Sequence, residues 1–102
     1  MIVEERIYTL HPGKIGEYMR LYETEGVKVQ SAILGRMVGW YTTDFGPQNQ
    51  IIHMWGYDSY AERDRRRAEL AANEEWQGFV AKILPLIKTQ ENKTLLPAPW
   101  SP

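Results

Sequence analysis

The chain has 102 residues, a net charge of −1 and no cysteine. A chain of this length carries one modest core. Its charge argues against a dedicated nucleic-acid binder, and the missing thiols exclude disulfides, cysteine-based zinc sites and thiol nucleophiles. The segment Met1–Arg6 enters a strand pattern directly, without the basic and apolar regions of a signal peptide, and no apolar run approaches the ~20 residues of a membrane span. The expectation is therefore a cytoplasmic protein without membrane or nucleic-acid partners, forming one domain over residues 1–102, with a core over 1–96 and a proline-rich tail over 97–102.

Residues Ile2 to Leu10 alternate as a strand, which His11-Pro12-Gly13 breaks with a turn. The period then changes: Ile15, Tyr18, Met19 and Tyr22 share one helical stripe, and Val29, Ile33 and Leu34 resume it. Gly26 lies between and predicts a kink or brief break, since glycine costs a helix about 1 kcal/mol relative to alanine. Gly35 is placed as the C-terminal cap. Met37–Thr43 reads as the second strand, Asp44–Asn49 as a hairpin loop, and Gln50–Asp58 as the third strand. Ser59 and Glu62 have the spacing of a capping box opening a helix through Leu70. Asn73 caps a further helix, with Trp76, Phe79, Val80, Ile83 and Ile87 at helical spacing and Pro85 set to end or bend it. Thr89–Leu96 is the fourth strand.

The order βαββααβ is that of an α+β, ferredoxin-like fold, an antiparallel sheet with helices on one face. In the third strand, two-residue alternation separates Ile52, Met54 and Gly56 from His53, Trp55 and Tyr57. The aliphatic set is the expected helix-facing side. Trp55, Tyr57, Tyr8 and Tyr41 then fall on the other face, with Trp40 opposite Tyr41. An aromatic patch of that size predicts a homodimer packed sheet against sheet.

Several segments resemble the NIPSNAP family of the dimeric α/β-barrel superfamily. They are Glu4-x-Arg6-x-Tyr8-Thr9-Leu10-x-Pro12-Gly13-Lys14, Gly39-Trp40-Tyr41-Thr42-Thr43, Gly46-Pro47-Gln48-Asn49-Gln50 and His53-Met54-Trp55-Gly56-Tyr57-Asp58-Ser59. Glu75-Trp76 and the ending Pro97-Ala98-Pro99-Trp100-Ser101-Pro102 are also similar. Glu5 departs from the pattern, standing where the family often has an apolar residue. The resemblance covers nearly the whole chain. It implies a ferredoxin-like protomer and a homodimer whose two sheets form a barrel, without implying a reaction.

His53, mid-strand, is the candidate catalytic residue, as a general base near neutral pH; the alternative is a buried, hydrogen-bonded histidine. Glu4, Arg6 and Tyr8 share a face. Arg6 could clamp a carboxylate or enolate with its planar fork, or simply pair with Glu4. With Tyr41 and Trp55 these form the expected ligand-binding set, on the sheet face away from the helices. The strand order makes the first and third strands neighbours, so the set can converge. Arg63-Asp64-Arg65-Arg66-Arg67 interleaves with acids and reads as a solvated helix face, with Glu62 pairing to Arg66. No phosphate loop, dinucleotide fingerprint or metal-ligand spacing occurs, so no cofactor or metal is expected. The first functional reading is a homodimeric small-molecule-binding or accessory protein. The alternatives are a cofactor-free monooxygenase- or isomerase-like enzyme for an acidic or enolisable aromatic compound, and a protein-interaction module.

Overall fold

In a computed structural model covering Met1–Pro102, four strands form one antiparallel sheet. They are β1 (Ile2–Leu10), β2 (Arg36–Thr42), β3 (Gln50–Tyr57) and β4 (Ile87–Leu95), in the order β2-β3-β1-β4. Between β1 and β2 run α1 (Ile15–Leu21), a π turn (Tyr22–Gly26) and α2 (Val27–Leu34). Between β3 and β4 run α3 (Tyr60–Ala72), α4 (Glu74–Ile83) and a 3₁₀ turn (Leu84–Leu86). This is the ferredoxin-like arrangement. The slab measures 39 × 35 × 19 Å, and its thin dimension fits one sheet layer plus one helix layer.

Local chemistry explains the element ends. Ser59 Oγ accepts from the Glu62 backbone N–H at 3.1 Å, while the Glu62 carboxylate accepts from the Asp58 N–H, completing the expected cap one residue further out. Asn73 Oδ1 accepts from the Trp76 N–H at 2.9 Å and starts α4. Pro85 sits in the 3₁₀ turn, so Ile87 leaves the helical stripe and opens β4. Gly26 closes the π turn. A Cβ there would come within 2.8 Å of the Tyr22 ring and 3.0 Å of the Phe79 ring, so the helix break coincides with a close approach that only glycine permits.

The sheet faces are the reverse of the sequence reading. Ile51, His53, Trp55 and Tyr57 of β3 and Ile2, Glu4, Tyr8 and Leu10 of β1 are buried, and all lie on the helix-facing side. Ile52 and Met54 face the other way and are half-buried. The reason is packing chemistry. The helices present Tyr18, Tyr22, Phe79 and Trp76, and aromatic sheet residues bury more area against that wall than aliphatic ones would. Tyr8 and Ile51 join Tyr18, Tyr22 and Phe79 in one cluster. Trp55 and Tyr57 join Leu34 and Leu70 in a second. Of the aromatic residues expected on the open face, only Tyr41 is there, 55% exposed.

A register shift between Met37 and Gly39 marks a bulge in β2. Met37 pairs with Trp55 and Trp40 with His53, so both lie on the helix side although they are three residues apart. The extra residue, Val38, stays exposed.

Candidate functional site

Between the sheet and the helices lies a cavity of about 260 Å³. Arg6 and Tyr8 of β1 and His53 of β3 form its floor, Gln30 of α2 and Arg67 of α3 line it, and Trp76 of α4 walls it. Leu84 and Gln90, both exposed, mark its mouth.

Strand pairing brings the floor together. Arg6 lies directly opposite His53, and Tyr8 is two pairs further along, opposite Ile51. The Tyr8 and His53 rings meet edge to face at 5.1 Å, while Trp40 stacks on His53 from β2 at 6.0 Å. Arg6, Tyr8 and His53 therefore converge as expected, but inside the protomer and not on the open face. Trp55 stands behind His53 and donates its Nε1–H to His53 Nδ1 at 2.7 Å. Tyr41 lies on the opposite face and does not join the group.

Glu4 anchors the charges without lining the cavity. Its Oε2 accepts from Arg63 Nη2 at 2.7 Å, Asn92 Nδ2 at 2.9 Å and Arg6 Nη1 at 3.2 Å. Burial opposes the carboxylate charge, but these hydrogen bonds and the two guanidinium charges outweigh it and hold the carboxyl below its ordinary value. Arg6 also donates from Nε to Tyr8 Oη at 2.8 Å. Its Nη2 has no partner within the chain.

Arg67 has no carboxylate partner among the ion pairs, and its Nη1 is buried without a hydrogen bond. Burial and then the charge of Arg6 push its guanidinium down. Glu4 thus balances one of the three arginines around it, and the cavity keeps an excess of positive charge. His53 responds to this field. Burial first, then Arg6 and Arg67, lower its imidazole to about 3, against a smaller opposing effect of Glu4. At neutral pH it is uncharged. With Nδ1 occupied by an indole, which only donates, it presents Nε2–H, which does not suit a general base.

Arg67, Gln30, Tyr18 and Trp76 were not among the residues expected at the site. Arg66 does pair with Glu62 at 2.8 Å, as expected of a solvated face. Arg63 and Arg67 instead turn inward, correcting the reading of that run as wholly solvated. Their spacing with buried Leu70 at i, i+4 and i+7 is a stripe visible in the sequence.

Other concavities lack this chemistry. The largest, about 520 Å³, lies by the tail and is lined by Met1, Val3, Val38, Leu95 and Trp100 among others, without an ionisable side chain. No cluster of three or more His, Asp or Glu with metal-binding geometry is present, and no helix is long and apolar enough to cross a membrane.

The sequence profile of the NIPSNAP family matches residues 3–102. The chain belongs to the NIPSNAP family. It is 34% identical over 99 residues to human Protein NipSnap homolog 3A, covering 95% of this chain and 39% of that protein. A Dictyostelium discoideum NipSnap homolog is 33% identical over 94 residues, 92% of this chain and 41% of that one. The chain thus spans about two fifths of the length of these relatives. A NIPSNAP family protein of Agrobacterium tumefaciens superposes with a TM-score of 0.97 at 48% identity, over 99% of this chain and 96% of that one. The crystal structure of an antibiotic biosynthesis monooxygenase shares the fold, with a TM-score of 0.67 at 13% identity over 97% of this chain and all of the other.

Proposed function

We propose that this NIPSNAP chain is a homodimeric small-molecule-binding protein whose ligand sits in the cavity between sheet and helices. The observation that carries the reading is Arg67, a guanidinium with a buried, unpartnered nitrogen on a cavity already lined by Arg6. A buried donor without a partner is costly, and an anionic ligand beside this half-buried guanidinium would relieve it. The aromatic walls of Tyr8, Tyr18 and Trp76 suit a flat ring. The volume, below the ~300–1,000 Å³ of drug-sized sites, suits a small one. An acidic or enolisable aromatic compound has both features. The enzymatic reading through His53 as a base has less support, since its free nitrogen is a donor.

The dimer is supported by the sheet face that the helices leave uncovered. Only 19 of 102 residues are buried in the protomer, a small core for such a chain. Ile7, Ile52 and Met54 are half-buried there, and Val38, Tyr41 and Leu95 are exposed. A cytoplasmic location completes the reading and is tested by cell fractionation. Native mass spectrometry of freshly purified protein tests the rest. The expected species is twice the 11.9 kDa protomer mass with a small acid retained. A bare protomer at micromolar concentration would refute the dimer, and a dimer that takes up no aromatic acid from an added panel would refute the ligand.

A further inference from the structure

Four side chains on this cavity offer hydrogen-bond donors that nothing in the chain uses. Arg6 has Nη2 free, and Arg67 has Nη1 free. The other two are ambivalent groups, each with one end engaged from behind. Histidine can accept at one nitrogen and donate at the other, but Trp55 occupies His53 Nδ1 and leaves Nε2–H. An amide can present either end. The Tyr22 hydroxyl donates to Gln30 Oε1 at 2.6 Å and leaves the NH₂. His53 and Gln30 are each 2% exposed, and both line the cavity. Trp55 and Tyr22 are themselves core residues held by ring contacts, His53 with Trp55 at 6.2 Å and Tyr22 with Trp40 at 4.9 Å.

We infer that the cavity is built to select a ligand head group that only accepts hydrogen bonds, a carboxylate, phenolate or enolate, and to reject a neutral isostere carrying donors, such as an amide. This rests on the proposed ligand site and deepens it, because charge alone would not discriminate at His53 and Gln30. An amide NH₂ turned toward Arg6, Arg67, His53 and Gln30 would meet only donors there and leave groups unpaired, which costs enough for about tenfold weaker binding or more per group. The charged groups facing His53 are Arg6 and Glu4 from β1 and Arg67 from α3; burial first, then Arg6 and Arg67, keep the imidazole neutral against the opposing effect of Glu4. The donor array is accordingly unchanged across the neutral range.

The test uses the full chain and two probes of nearly equal shape, benzoate and benzamide. Long-range ¹H–¹⁵N spectra of the ligand-free protein read the His53 tautomer, and calorimetry reads the preference between probes at pH 7. The expected results are an Nε2–H tautomer from pH 5 to 8 and a preference for benzoate of about tenfold or more. Tyr22→Phe, which deletes one hydroxyl and frees Gln30 to turn its oxygen inward, is expected to reduce that preference without abolishing benzoate binding. An Nδ1–H tautomer, or an imidazolium at pH 6, would overturn the inference whatever the probes do. Equal binding of both probes would overturn the selectivity while leaving the ligand site standing. Failure of both probes to bind, with the Nε2–H tautomer present, would overturn the ligand site and the inference with it. A preference unchanged in Tyr22→Phe would remove Gln30 from the array.

Discussion

The neutral state of His53 makes a quantitative prediction about acid stability. The folded-state value of about 3 lies well below the ordinary 6.5, because burial and the charges of Arg6 and Arg67 disfavour the imidazolium. Between these values the unfolded chain binds a proton that the native one refuses, so stability is present above pH 6.5 and lost as pH falls toward 3. From pH 7 to pH 5 the loss through this one group is about 2 kcal/mol, the unfolded imidazole going from about a quarter to almost fully protonated. That corresponds to a drop in Tm of about 8–16 °C for a domain of this size. The control is His53→Gln, which keeps an acceptor for the Trp55 N–H and removes the titration. Urea melts at fixed protein concentration, at pH 7 and pH 5, give the stability of both proteins. The gap between wild type and variant should narrow by about 2 kcal/mol at the lower pH. An unchanged gap would mean that His53 is protonated in the native state or that it titrates alike in both states, and the reasoning about the cavity's field would fail.

Three further outcomes follow from the packing. Glu4→Gln should destabilise the protein by about 3–5 kcal/mol in denaturant melts, because Arg6 and Arg63 lose their shared counter-charge; Glu4 Oε2 takes three donors. Gly26→Ala should be destabilising by about 1–3 kcal/mol despite the better helix propensity of alanine, since the new methyl meets the Tyr22 and Phe79 rings; a stabilised variant in thermal melts would refute the close approach. Phe79→Ala should cost about 3–5 kcal/mol and more than Trp76→Ala, because Phe79 is fully buried and Trp76 only partly; equal losses would contradict that ranking.

The sequence showed the architecture well, because its signals were local. The cap at Ser59 and Glu62, the break at Gly26 and the bend at Pro85 followed from residues close together in the chain, and the strand order from the succession of elements they delimit. The two faces of β3 were also legible, but not which of them the helices cover. Alternation gives a period without a sign, and His53 with Tyr57 looked more solvent-tolerant than Ile52 with Met54. The sign depends on Tyr18, Tyr22 and Phe79, residues distant in sequence that supply an aromatic wall. The same non-local cause hid part of the site. Arg6, Tyr8 and His53 were found through strand adjacency. Gln30 was not, because nothing local marks a buried glutamine whose partner is eight residues away. Arg67 was lost in a charged run, although its spacing with Arg63 and Leu70 carried the clue. The β2 bulge that puts Met37 and Trp40 on one side has no plain sequence signature at all.

The place where a small aromatic acid binds is the decisive property of this protein. Side-chain and backbone NMR shifts during a benzoate titration would locate it directly. The perturbed resonances should gather at His53, Gln30, Arg67 and Trp76, around the cavity of about 260 Å³, while Tyr41 and Trp100 on the other side stay still. Saturable shifts confined to Tyr41, Trp100 and the open sheet face, with His53 and Arg67 unmoved, would contradict this placement.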